Sequence, residues 1–173
     1  MRKPPRQKPG QSNQDVGTPP EFIQAACQKL HIKEFNWDLA AEASNSVCGQ
    51  RFYSKEMDSF KQDWARPEHF RNWSGALWNW LNPPFAHIYP WAEKCFQESL
   101  RGAYTALLVP AATDTEWWKD YVHGHGYALL ARPRITFIGH TQGYPKGLAL
   151  VLYTPQGFYG YDLWNWKAEL KAP

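Results

Sequence analysis

The run Tyr104-Thr105-Ala106-Leu107-Leu108-Val109 constrains this chain more than any other stretch. It is almost continuously apolar and contains neither Gly nor Pro. A strand with one wet face alternates apolar and polar residues. A continuous apolar strand is buried on both faces, which is the habit of parallel sheets covered by helices. The flanks fit such an arrangement. Pro90 to Leu100 reads as a helix with Pro at its start and Gly102 after its end. Thr113-Asp114-Thr115-Glu116 opens another, through Trp117, Trp118 and Tyr121.

Further strands are expected at Ala76–Leu81 and, shorter, at Glu34–Leu39 and Arg51–Tyr53. Arg134–Ile138 and Leu148–Tyr153 read as two strands of a closing hairpin, joined by the loop His140–Gly147. Thr18-Pro19-Pro20-Glu21 has the form of a capping box, with Thr18 at the N-cap of a helix that buries Phe22, Ala25, Ala26 and Leu30. Strands alternating with helices predict an α/β fold with an open, mostly parallel sheet and a closing antiparallel hairpin. Ligands of such sheets bind outside the carboxyl ends of the strands. Asp38, Asp63 and Asn82–Phe85 are expected at such ends.

With 173 residues the chain supports one domain. The net charge of +3 is unevenly placed, because Arg2, Lys3, Arg6 and Lys8 lie against Asp15 while residues 21–173 are neutral. Residues 1–14 carry three Pro and almost no apolar side chain, so they read as a disordered basic arm. A domain over 15–160 and a C-terminal tail over 161–173 complete the expected organisation. A neutral body argues against a histone-like electrostatic coat. No apolar run approaches the ~18–20 residues of a membrane span. A basic start followed by Pro and Gln lacks the apolar stretch of a secretory signal. Three cysteines at irregular spacing form neither a disulfide framework nor a zinc pattern, which suggests a reducing, cytoplasmic setting.

Asn82-Pro83-Pro84-Phe85, placed after a strand, carries the chemistry. The exocyclic amine of adenine is a poor nucleophile because its lone pair is delocalised into the ring. Methylating it requires acceptors that hold the amino group and draw it toward sp³ geometry. The side-chain oxygen of Asn82 is one acceptor, and the carbonyl of Pro83 is another, in a backbone whose φ is fixed. Phe85 can stack on an extruded base, which is worth about 1–3 kcal/mol. Extrusion is needed because the target atom is otherwise bonded within the duplex. The competing view is a plain Pro-Pro turn in a chain with 14 Pro.

The segments taken in order resemble the phage-type DNA N6-adenine methyltransferases, the Dam family. They are Asp15–Pro20, Trp37–Ala41, Gln62-Asp63-Trp64, Asn82–Phe85, Leu107–Trp118, and Arg134–Ile138 with Gly143–Gly147. Together they span about residues 15–155. The resemblance implies a Rossmann-like methyltransferase fold, S-adenosylmethionine as donor without a metal, and double-stranded DNA as acceptor. It implies a monomer that protects phage or prophage DNA. Asn82, Pro83, Pro84 and Phe85 match the catalytic loop, while Thr18, Pro19, Asp38 and Asp63 match donor-binding positions. Two departures stand out. Ala40-Ala41 replaces a glycine-rich turn, and Gly17 occupies a position that is often aromatic.

Arg132, Arg134 and Lys146 are candidate phosphate contacts, against the alternative of solvated charges. His123-Gly124-His125 lacks a third metal ligand at useful spacing and reads as a helix end. Trp164 and Trp166 suit either packing or DNA contact. Alternatives to DNA methylation are an RNA adenine or glutamine-amide methyltransferase and, in a different class, a non-catalytic DNA-binding module.

Overall fold

A computed structural model describes residues 16–65 and 76–171. The expected basic arm and Asp15 lie outside the described residues. The elements are α1 (Pro20–Lys29), β1 (Trp37–Asp38), β2 (Trp78–Leu81), α2 (Tyr89–Leu100), β3 (Tyr104–Pro110), α3 (Glu116–Tyr121), β4 (Tyr127–Arg132), β5 (Leu148–Tyr153), β6 (Gly160–Asn165) and α4 (Trp166–Glu169). They build one six-stranded sheet in the order β1-β2-β3-β5-β4-β6. Only β5 runs against the other five strands. The mixed α/β, mostly parallel architecture expected from the sequence is therefore present.

The apolar run sits near the sheet centre as β3, buried from Thr105 to Pro110. Its side chains alternate between two cores. Leu107 and Val109 join Leu81, Val151, Trp117 and Trp118 under α2 and α3. Ala106 and Leu108 join Phe22, Trp78, Trp80, Leu150 and Ile135 under α1 and α4. Both faces are thus covered, which is why no polar alternation is visible in the run.

Three expectations are corrected. The strand that pairs with β5 is Tyr127–Arg132, not Arg134–Ile138. Arg134–Ile138 does alternate, with Ile135 and Phe137 buried between exposed neighbours. It lies beyond the ladder, however, because Pro133 has no N–H to extend β4. Its backbone bonds go elsewhere: Tyr144 N–H donates to the Ile135 carbonyl at 2.7 Å, and Ile138 N–H to the Gly17 carbonyl at 3.0 Å.

Residues 161–173, expected as a tail, carry most of β6 and all of α4. Trp164 and Trp166 are buried and meet Phe22 edge-to-face, each at 5.4 Å between centroids. Packing, rather than DNA contact, is what these two rings do. Trp166 Nε1–H also donates to the Pro133 carbonyl at 2.7 Å. Trp166→Ala is therefore expected to cost about 3–5 kcal/mol, as for a large aromatic deleted from a core. Urea unfolding followed by circular dichroism measures it, and a free tail would show almost no change.

Thr18 is not the N-cap of α1. Pro19 holds that position, with no side-chain cap, and Pro20 is the first helical residue. The Thr18 hydroxyl is used at the site described next.

Candidate functional site

The carboxyl ends of β1 and β2 lie side by side, because Asp38 pairs in register with Trp80. The backbone holds Asp38 from both sides. Its N–H donates to the Arg51 carbonyl and its carbonyl accepts from Tyr53 N–H, both at 2.9 Å. Leu39 N–H donates to the Trp80 carbonyl at 2.9 Å. Asp38 is 3% exposed. Its two oxygens accept from Val47 N–H at 3.0 Å and Ala40 N–H at 3.4 Å. Among the described residues no cationic side chain pairs with it. Burial pushes this carboxyl up from 3.8 to about 6, against the opposing pull of those two N–H groups.

Asn82 follows β2 directly, ahead of a buried Pro83 and an exposed Pro84. Its side-chain Nδ2 donates to the Val16 carbonyl at 3.4 Å and to Thr18 Oγ1 at 3.3 Å. Asp38, Thr18 and Asn82 share one cleft, also lined by Gly17, Ala40 and Asn45. Ala40 and Ala41 thus stand on the cleft wall where a glycine-rich turn is missing. Pro19 is not on this wall; it supports the neighbouring helix entry instead.

Phe85 is half-buried and belongs to a ring triad. It meets Tyr144 at 5.5 Å and Phe137 at 6.2 Å, and those two meet each other at 5.8 Å, all edge-to-face. Tyr144, which residue types alone do not mark as functional, sits in the Gly143–Gly147 segment. The available signal was its aromatic side chain between two loop glycines. Burial raises the Tyr144 hydroxyl above its ordinary value. Gly143 allows the approach, since a Cβ there would stand 2.9 Å from Cβ of Arg134.

Arg132, Arg134 and Lys146 are exposed and form no ion pair among the described residues. Arg134 and Lys146 flank the segments that carry Phe137 and Tyr144. β4, which ends in Arg132, runs in the same direction as β2, so the cation lies at the same edge of the sheet as Asn82.

Asp63 does not line the cleft. Its carboxylate accepts from Ala65 N–H at 3.0 Å and pairs with Arg101 at 3.3 Å. The neighbouring Trp64 is fixed by Glu98, which accepts its backbone N–H at 3.1 Å. His123 and His125 diverge, onto Tyr161 and Phe96 respectively. Among the described residues no group of three or more His, Cys, Asp or Glu is arranged to hold a metal. The three cysteines are buried and free. No described helix is long and apolar enough to cross a membrane.

Fold and site together define an α/β protein with a polar cleft at the carboxyl ends of parallel strands. The chain matches the family described as DNA N-6-adenine-methyltransferase (Dam) over residues 7–155, and it belongs to that family. The family's activity, methylation of adenine in DNA, therefore applies to the class of this protein. No curated protein and no solved structure matches it.

Proposed function

We propose that this chain transfers a methyl group from S-adenosylmethionine to N6 of an adenine extruded from duplex DNA, in the cleft shared by Asp38, Thr18 and Asn82. One observation carries the reading. The amide of Asn82 is anchored through its nitrogen, so its oxygen is left as an acceptor in the cleft it shares with a buried carboxylate that has no cationic partner among the described residues.

The residues present suit the donor by charge. A buried carboxylate with no cationic partner among the described residues favours a cationic ligand, and the donor brings a sulfonium and an ammonium group. The fit is one of charge rather than of volume, because the cleft measures about 20 Å³, room for about one water. When bound, the donor supplies an electrophilic methyl whose S–C bonding pair returns to sulfur as the new N–C bond forms.

The protein's part is positioning and hydrogen-bond acceptance. Asn82 Oδ1 accepts from the N6 amino group, and the Pro83 carbonyl offers a second acceptor. Both draw the nitrogen lone pair out of conjugation. Asn82 cannot keep a proton, so the extra N6 proton passes to water. Phe85, backed edge-on by Tyr144 and Phe137, offers a half-exposed ring face for the extruded base. Arg132, Arg134 and Lys146 hold phosphates and set register without reading sequence.

Purified protein, methyl-labelled donor and unmethylated DNA test the reading. Digestion to nucleosides is expected to place the label in N6-methyladenine. Label in another nucleoside, or in RNA in preference to DNA, would reject it.

A further inference from the structure

We infer that Thr18 is a positioning residue for Asn82, fixing which face of its amide meets the acceptor amine. This rests on the function proposed above and deepens it. The resemblance to known methyltransferases puts Thr18 on the donor side. The geometry gives its hydroxyl a different task.

A side-chain amide has a donating end and an accepting end, and only the donating end can face a carbonyl. Val16 presents its backbone carbonyl to Asn82 at 3.4 Å. A carbonyl never donates, so the nitrogen of Asn82 must lie on that side. One long bond is a weak restraint. The Thr18 hydroxyl supplies the second, accepting from the same nitrogen at 3.3 Å. With both acceptors on one side, Oδ1 is turned away from the Val16–Thr18 segment, and it has no protein partner among the described residues.

Two further facts separate this role from ordinary helix entry. A Thr ahead of Pro-Pro-Glu is well placed to cap α1, yet no side chain caps that helix. Thr18 is buried, only 5% exposed, and its hydroxyl accepts from Asn82. The segment that carries it is also rigid. Pro19 and Pro20 fix φ on one side. On the other, the Gly17 carbonyl accepts from Ile138 N–H at 3.0 Å, and a Cβ on Gly17 would stand 3.0 Å from Cδ1 of Ile138. Thr18 therefore holds Asn82 from a fixed point, and the wall that lines the cleft also sets the acceptor amide.

Thr18→Val removes the hydroxyl at nearly constant shape. The turnover of methyl transfer is expected to fall roughly tenfold, the worth of about one hydrogen bond. Donor affinity stays as in the wild type, and Thr18→Ser restores turnover. A second readout needs no activity. In ligand-free, ¹⁵N-labelled protein, the Asn82 side-chain NH₂ loses exchange protection in Thr18→Val and regains it in Thr18→Ser. Thr18→Ala repeats both measurements should the valine variant not fold.

Unchanged turnover and unchanged Asn82 exchange would overturn the inference. So would a loss of donor affinity with turnover preserved at saturating donor, which would make Thr18 a donor ligand. Wild-type activity is measured first. An inactive wild type rejects the proposed function and this inference with it, whereas an active wild type with an indifferent Thr18→Val rejects this inference alone.

Discussion

Asn82→Ala is expected to lower methyl transfer by at least about 10²–10³-fold, the usual cost of deleting one preorganised group that stabilises a transition state. The substitution removes the acceptor for the N6 amino group. The neighbouring Pro83 carbonyl remains, but a single acceptor cannot fix the amine in two directions. The protein itself should survive the change. Asn82 is only partly buried, and its two bonds to Val16 and Thr18 are long. A net loss of about 1 kcal/mol in stability follows from their removal. Donor affinity and melting temperature are thus expected to stay near the wild type while turnover collapses. A collapse of folding instead would assign Asn82 to the architecture and not to the chemistry.

Asp38→Asn is expected to weaken donor binding about 10–100-fold, since a bond to a charged group carries about 1.5–3 kcal/mol. The pH dependence gives the sharper reading. In the donor-free protein burial raises this carboxyl to about 6. A cationic donor prefers the ionised form, so wild-type affinity should rise with pH through about 6 and level off above it. Asp38→Asn should be flat over the same range. Stability runs in the opposite direction. The folded protein holds this proton more tightly than the unfolded chain, so the contribution to stability is fully present below 3.8 and is lost as pH rises through about 6. Relative to the wild type, the Asn variant should therefore gain stability as pH rises from about 3.8 to about 6 and keep that gain, with little further change, above it, which paired thermal melts can measure. A wild-type donor affinity that ignores pH across this range would remove Asp38 from the donor site.

What could be read from the sequence, and what could not, follows from how each segment is buried. β3 was legible because both of its faces are covered, which demands a continuous apolar run. The Asn82 loop was legible because Pro83 ends a strand wherever it stands. Asp38 was placed by the short aromatic run before it, although only Trp37 and Asp38 form the strand itself. β4 is hidden because His123-Gly124-His125 just before it reads as a helix end, while Arg134–Ile138 offers a cleaner alternation. That alternation is real, but its buried side chains pack at the end of the sheet and its backbone bonds to Gly17 and Tyr144. β6 gave almost no signal. Tyr161 and Leu163 are exposed on the sheet edge and only Trp164 is buried, so no periodicity could reveal it.

The site shows the same division. Residue types announced Asn82, Phe85 and Asp38, because each has a chemical task that few other side chains perform. The partners that orient them are distant in sequence, or are backbone groups, and leave no local mark. The Val47 N–H on Asp38, the Val16 carbonyl on Asn82 and Tyr144 against Phe85 are all of this kind. Asp63 illustrates the opposite case, in which a suggestive acid-aromatic pair is tied to Arg101 and Glu98 at the end of α2.

The most direct measurement is modification-aware sequencing of DNA from cells that express either the wild-type chain or Asn82→Ala. The wild type is expected to leave N6-methyladenine in a fixed sequence context, and the variant none above background. Adenine left unmodified by the wild type, or modified equally by the variant, would contradict the account.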